Sequence, residues 1–114
     1  LPHKDTPFGE EKAGDVNLNL FLLSLCRIML PDVLLPATTA LETAQKDARK
    51  LGVLSGCNVV MPNLSPLNVR RDYMLYNNKI AMDVGAYESL KSLRQNMADI
   101  GYEVVIDRGD YCKK

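Results

Sequence analysis

The sequence predicts an α/β fold in which short parallel strands alternate with helices. Three apolar runs, 33–35, 59–61 and 102–106, are too short for helices, and each is adjoined by proline or glycine. Longer stretches with apolar residues at helical spacing lie between them. Short, uniformly apolar strands separated by helices pair in parallel and are covered on both faces. At 114 residues the chain is one domain at most.

The chain begins with a loop and one long helix. Residues 1–14 place prolines and glycines among charged residues, which is typical of loops. Asp15 can cap a helix that begins at Val16 and ends before Pro31. We expect this helix to be largely buried, because its apolar stripe is wide: Leu18, Leu20, Phe21, Leu22, Leu23, Leu25, Ile28 and Met29.

Two strand–helix units follow. The strand 33–35 ends at Pro36, and Thr38 or Thr39 caps a helix that Gly56 ends. Its expected stripe is Ala44, Ala48, Leu51 and Leu54. The strand 59–61 leads to a loop, and Ser65 followed by Pro66 begins a short helix that carries Tyr73, with Tyr76 one turn beyond.

The last part of the chain repeats this alternation. We expect a turn at 76–79 and a brief extended segment at 80–82. A helix over 86–100, ended by Gly101, precedes the last strand and a polar tail. One face of this helix is apolar: Leu90, Leu93, Met97 and Ile100.

The composition of the chain argues against several classes of function. Fourteen basic residues balance fourteen acidic ones, so no basic patch for nucleic acid is predicted. No apolar stretch is long enough to span a membrane, and we expect no signal peptide and a cytoplasmic protein. An odd number of widely spaced cysteines, Cys26, Cys57 and Cys112, fits reduced thiols, with Cys26 and Cys57 buried. Because the chain begins with Leu1 rather than methionine, we expect a fragment.

Candidate site residues follow the predicted strands. In parallel α/β folds, ligands bind beyond the carboxyl ends of the strands. Those loops contain Thr38 and Thr39 after the first strand and Met61 and Asn63 after the second, and His3 follows a strand expected before Leu1. With no paired acids or catalytic triad among them, these side chains predict a ligand-lining set without a catalytic residue or a metal site.

Each candidate has a purely structural alternative. The threonines can cap a helix, and Asn63 can hold its own loop. His3 can be a solvated loop residue, and Met61 a core residue. The tyrosines Tyr73 and Tyr76 can be packing residues with solvated hydroxyls, and we expect Arg70 and Arg71 to form a solvated face.

The motifs resemble a known family. The blocks that carry the resemblance are PHKDTP at 2–7, LPD at 30–32, LPATTAL at 35–41, VVMPNLSP at 59–66 and RDYMLY at 71–76. They resemble the second half of HydE-type [FeFe]-hydrogenase maturases, which belong to the radical S-adenosylmethionine (SAM) enzymes with biotin synthase and methylornithine synthase. The resemblance is close over 1–80 and looser over 81–114.

The resemblance implies a whole enzyme built as a (β/α)8 barrel with a 4Fe-4S cluster and SAM. SAM cleavage would give a 5'-deoxyadenosyl radical that acts on an iron-bound precursor. Residues 1–80 would be the last barrel units, about three βα units, and 81–114 a C-terminal helix and strand. His3 would lie near SAM, and the cavity would be lined by Thr38, Thr39, Met61, Tyr73 and Tyr76.

The sequence also departs from the family. The CxxxCxxC motif that holds the cluster is absent, so we expect this piece to be inactive alone and to bind neither cluster nor SAM. Glu42 replaces the usual glycine, which predicts an altered turn. Open strand edges predict self-association. The alternatives are a relative of biotin synthase or methylornithine synthase, or a non-catalytic binding or scaffold module; the sequence encoded upstream discriminates them.

Overall fold

The described residues form two parallel strands and five α-helices. The computed structural model describes residues 1–73, 75–79 and 83–110, without the side chain of Arg71. The predicted extended segment 80–82 and Cys112 lie outside the described residues. After the N-terminal loop the elements are α1 (Val16–Met29), β1 (Pro36–Ala37), α2 (Thr39–Ala44), α3 (Ala48–Leu54), β2 (Val59–Val60), α4 (Leu67–Arg70), a 3-10 turn (Arg71–Tyr73) and α5 (Ala86–Ala98). The predicted α/β class is confirmed.

The strands are parallel, as predicted, but β1 begins later than expected. Pro36 lies opposite Val59 and Ala37 opposite Val60. The predicted strand 33–35 is wrong because Val33 N–H donates to the Leu30 carbonyl in a turn (3.2 Å). The Leu35 N–H then donates to the side chain of Asn58 (2.8 Å) rather than to a backbone carbonyl. The Leu35 carbonyl does accept from Asn58 N–H (3.0 Å) and Val59 N–H (3.2 Å), so Leu35 leads into the ladder whose paired residues begin with Pro36 opposite Val59. The second predicted strand is confirmed at Val59–Val60.

The predicted third strand is wrong for the described residues, since 102–110 are irregular. Tyr102 N–H donates to the Met97 carbonyl (3.0 Å) and so closes the end of α5 instead of joining the sheet. The segment still runs alongside β2, and Val60, Met97 and Val104 share the lining of a cleft of about 380 Å³ there. The described sheet therefore has two strands rather than three.

Helix α1 begins as predicted but is not buried as predicted. The Asp15 carboxylate accepts from Leu18 N–H at 2.7 Å, which caps the helix. No residue of α1 is buried, and Phe21 is 64% and Ile28 78% exposed. The apolar side chain of α1 that packs on the core is the half-buried Leu23, and Arg27 Nε donates to the Gly56 carbonyl at 2.7 Å. The exposed side chains form what we call the α1 stripe: Leu18, Phe21, Leu22, Leu25, Ile28 and Met29.

Glu42 divides the second predicted helix into α2 and α3. Its two carboxylate oxygens accept from Asp47 N–H (3.0 Å) and Arg49 N–H (2.9 Å), and thereby cap the start of α3. Asp47 takes the left-handed conformation, with φ of 63°, which breaks the helix. The break shifts the buried face, so Leu51 and Leu54 are exposed and the predicted stripe is wrong. The buried residues of α2 and α3 are Leu41, Ala48, Gly52 and Val53.

The core joins β1, α3 and α5. It consists of Ala37, Val53, Cys57 and Met97, with half-buried apolar side chains around it. Helix α5 buries Leu93 and Met97 as predicted, and its end at Gly101 is formed with φ of 81°.

Of the two cysteines predicted to be buried, one is buried and the other is exposed. Cys57 is buried as predicted, and burial raises the pKa of its thiol although the nearby Arg27 opposes the shift. Cys26 is exposed on α1, so its predicted burial is wrong for the same reason as that of the α1 stripe. Both thiols are free.

No helix formed by the described residues has the length and apolar character that crossing a bilayer requires.

Candidate functional site

Both strands end at the same edge of the sheet, because they are parallel and in register. Thr38 leaves that edge after β1, and Met61 leaves it after β2. Thr38 Oγ1 accepts from Leu41 N–H at 3.3 Å, so this hydroxyl caps α2. Met61 is exposed beyond the end of β2 rather than packed in the core. The sheet therefore presents a hydroxyl and a thioether at its carboxyl edge.

Thr39 and Tyr76 are in direct contact. Thr39 Oγ1 lies 3.0 Å from the Tyr76 hydroxyl, and the bond is partly buried. Thr39 is the first residue of α2, while Tyr76 belongs to the chain that follows the 3-10 turn. This hydrogen bond links two predicted site residues that lie far apart in sequence.

The N-terminal loop binds the same turn that holds Tyr76. Asn77 N–H donates to the Pro2 carbonyl at 3.2 Å, and the Asn77 side-chain oxygen accepts from Lys4 N–H at 3.4 Å. His3 lies between these two attachments, and its side chain is largely buried rather than solvated. Its Nδ1 accepts from Asp5 N–H at 3.2 Å. The structure thus connects the loops of His3 and Thr39 through one turn.

Asn63 and Tyr73 are held by other parts of the chain. Asn63 Oδ1 accepts from Ser65 N–H at 3.3 Å, which is the loop-holding alternative, and Asn63 N–H donates to Ser89 Oγ on α5 at 3.2 Å. The Tyr73 ring is exposed, with Lys79 Nζ 5.0 Å from its centroid. These contacts of Asn63 and Tyr73 are made with residues other than Thr39 and Tyr76.

Two arginines are functional candidates that the sequence did not reveal. Arg70 was predicted to be solvated and is instead 1% exposed, so that prediction is wrong. Its guanidinium bonds the carbonyls of Ser65 and Val84. A four-residue helix is too short for periodicity to show which side is buried.

Arg49 has a half-buried guanidinium close to the site. Its Nε has no hydrogen-bond partner among the described residues. Burial lowers the pKa of Arg49, and the nearby Glu42 and Tyr76 oppose this shift. Arg49 therefore lies near both Glu42 and Tyr76.

The described residues do not fit an iron–sulfur cluster. Such clusters are held by several cysteine thiolates. Cys26 is exposed on α1 and Cys57 is buried in the core, and no group of three or more histidine, cysteine or acidic residues in 1–73, 75–79 and 83–110 is arranged to hold a metal ion.

The fold and the site together define a class of protein. It is an α/β protein whose hydroxyl and aromatic side chains gather at the carboxyl edge of parallel strands, which is where proteins of this class bind ligands. The pairing of Thr39 with Tyr76 offers oriented hydroxyl groups, suited to holding a ligand.

Comparison with known proteins identifies relatives within this class. No protein-family model matches the chain. The [FeFe] hydrogenase maturase subunit HydE of Thermotoga maritima is 45% identical over 82 residues, which cover 72% of this chain and 24% of that protein. The matched stretch thus spans about a quarter of this curated relative. The chain is therefore related to the HydE-type maturases, and the resemblance predicted from its motifs is confirmed.

Proposed function

We propose that the chain is the C-terminal part of a radical SAM enzyme that matures the [FeFe]-hydrogenase cluster, and that it lines the substrate cavity. The relationship to HydE carries this proposal, since identity of 45% over most of the chain is far above chance similarity. The gathering of Thr39 and Tyr76 at the carboxyl edge of the sheet supports the cavity assignment. The substrate would be a small molecule or an iron complex.

The fold proposal is that β1, β2 and the helices between them are units of a (β/α)8 barrel. In such barrels the active site lies at the carboxyl edge of the strands, which matches the position of Thr38 and Met61. A complete barrel takes roughly 200 residues or more. The remaining strands would then belong to other parts of a longer protein.

Within this proposal each site residue binds or orients rather than transfers protons. Thr39 and Tyr76 fix each other's hydroxyl direction, and Thr38, Met61, Asn63 and Tyr73 complete the wall of the cavity. His3 would lie near SAM. In the whole enzyme the cluster and SAM supply the radical chemistry and are bound by other parts of the protein. This part alone would be inactive.

Two alternatives make different predictions. A relative of biotin synthase or methylornithine synthase would act on an organic substrate, and its organism need not contain a hydrogenase. A binding or scaffold module would have a gene that begins near residue 1. We expect instead an in-frame CxxxCxxC motif upstream, and a full-length product that, once reconstituted with iron and sulfide, cleaves SAM to 5'-deoxyadenosine. A start codon at residue 1 would contradict the enzyme proposal.

We also propose that the isolated chain self-associates through the α1 stripe. Several exposed apolar side chains on one helix form a patch larger than scattered surface residues make, and such patches promote association. In gel filtration at rising concentration the chain should elute earlier than a monomer and should bind an apolar dye. A double variant, Phe21→Glu with Ile28→Glu, should shift it towards the monomer, whereas the control Val105→Glu in the irregular segment should not. A concentration-independent monomer without dye binding would contradict the proposal.

A further inference from the structure

Residues 65–84, which we call the tyrosine segment, carry Tyr73 and Tyr76. Its described residues form the short α4 and a 3-10 turn. Side-chain hydrogen bonds act together with these elements in fixing where the Tyr76 hydroxyl lies. The inference that follows rests on the proposed function, because it concerns how the Thr39–Tyr76 pair is formed.

The buried side chain of Arg70 forms hydrogen bonds across this segment. The side chain is 1% exposed, and it is the charged residue among the fully buried side chains of the described chain. Its Nε donates to the Ser65 carbonyl at 3.2 Å, and Nη2 donates to the same oxygen. Its Nη1 donates to the Val84 carbonyl. One guanidinium group thus joins the two ends of the tyrosine segment.

Two further bonds of this segment are closer to solvent. Lys79 Nζ donates to the Tyr73 carbonyl at 3.2 Å, and Asn77 N–H donates to Pro2 at 3.2 Å. Both bonds compete with water, because Lys79, Asn77 and Pro2 are partly exposed. The bonds of Arg70 meet much less competition because the side chain is 1% exposed, so we expect them to hold Ser65 and Val84 in a fixed relation.

We propose that Arg70 is a positioning residue that holds the Tyr76 hydroxyl against Thr39 by joining the ends of the tyrosine segment. The role suits arginine in particular. Its guanidinium is a rigid plane of N–H donors that reaches two carbonyls in different directions at once, whereas lysine has a single ammonium at the end of a flexible stem. Burial also requires that the donors be bonded, since an unbonded buried cation is strongly unfavourable.

The test is amide hydrogen exchange, followed by mass spectrometry on the dilute chain, in the variant Arg70→Lys. This variant keeps the positive charge and loses the rigid plane of N–H donors that reaches two carbonyls. Peptides that cover 71–79 should exchange at least about tenfold faster than in the unmodified chain, while peptides from α3 and the second half of α5 keep their protection. Arg94→Lys is the matched control, because Arg94 is exposed on α5, and it should change nothing.

A second variant separates positioning from general stabilisation. If Arg70 acts through the Thr39–Tyr76 bond, adding Tyr76→Phe to Arg70→Lys should not increase the exchange over 71–79 further. Unchanged exchange over 71–79 in Arg70→Lys would overturn the proposal. Equal loss of protection in α3 and α5 would also overturn it, because the effect would then be unfolding of the whole chain. A further increase in the double variant would overturn it as well.

The consequence for activity is measured in the whole maturase. Arg70→Lys should lower kcat/KM roughly a hundredfold, the size of effect that a displacement of about 1 Å at a site produces, with iron content unchanged. Full activity together with rapid exchange over 71–79 would overturn the role in positioning. Normal activity of Thr39→Val and Tyr76→Phe would instead contradict the proposed function, and the exchange result on Arg70 would still stand.

Discussion

Replacing Tyr76 by phenylalanine in the whole maturase is expected to lower hydrogenase maturation roughly a hundredfold. The change removes the hydroxyl that lies 3.0 Å from Thr39 Oγ1 and keeps the aromatic ring. Without that bond neither group has a fixed direction, so the bound substrate is displaced from the reactive geometry. The measurement is the activity of a hydrogenase matured in vitro with each variant, at equal iron content. Tyr87→Phe, on the exposed surface of α5, is the matched control and should leave activity unchanged.

The same bond predicts that the two changes are not additive. Thr39→Val should cause a loss similar to that of Tyr76→Phe, and the double variant should be no worse than either, because both remove one interaction. Thr39 is a better residue to replace than Thr38. The Thr38 hydroxyl caps α2, so its loss would also affect that helix. Fully additive losses would show that the two residues act independently and would contradict their role as a pair.

Replacing Met97 by alanine is expected to destabilise the chain by about 2 to 5 kcal/mol. Met97 is 2% exposed and packs with Ala37, Val53 and Cys57, so the smaller side chain leaves a cavity where α5 meets β1 and α3. A domain of this size has a total stability of roughly 5 to 15 kcal/mol. The loss is therefore a large part of the free energy of unfolding, and it should appear as a marked fall in the urea midpoint followed by circular dichroism.

Met29→Ala is the matched control for this prediction. Met29 is 69% exposed at the end of α1, so its removal should change the free energy of unfolding by no more than about 0.5 kcal/mol. Measurements should be made at low protein concentration, because association through the α1 stripe would add stability that depends on concentration. Similar losses in both variants would contradict the assignment of the core.

The sequence predicted the two long helices well, because each carries several independent signals. Asp15 caps α1 as predicted, and Gly101 ends α5 with a positive φ. Hydrophobic periodicity shows which face of a helix is apolar, but not which residues pack against that face. For this reason the α1 stripe was predicted to be buried, while the described chain supplies little to pack against it.

Elements whose bounds depend on single side-chain hydrogen bonds were predicted less well. At the start of β1 the Leu35 N–H is bonded to the side chain of Asn58, and the break between α2 and α3 is capped by the carboxylate of Glu42. Both side chains bind backbone groups that local patterns assign to a strand or a continuous helix. The altered turn expected at Glu42 is wrong in its place, because Glu42 lies within α2 and the left-handed residue is Asp47.

The sequence predicted which loops contain the candidate site, but not which of their side chains are in contact. The carboxyl-edge rule placed Thr39 and the family motifs singled out Tyr76, but the contact between them depends on the tyrosine segment, whose course has no periodic signal. Arg70 was missed because a tandem of arginines is typical of a solvated surface. Buried Arg70 is stabilised by hydrogen bonds from its guanidinium to the carbonyls of Ser65 and Val84. No sequence pattern indicates these bonds.

The most direct test of the central claim is an exchange of segments. The matching quarter of Thermotoga maritima HydE is replaced by this chain, and the chimaera is assayed for SAM cleavage and for maturation of an [FeFe] hydrogenase. If the chain lines the substrate cavity of such a maturase, the chimaera should retain both activities, and Tyr76→Phe within it should reduce maturation. A folded, cluster-loaded chimaera that cleaves SAM but matures no hydrogenase would contradict the assignment.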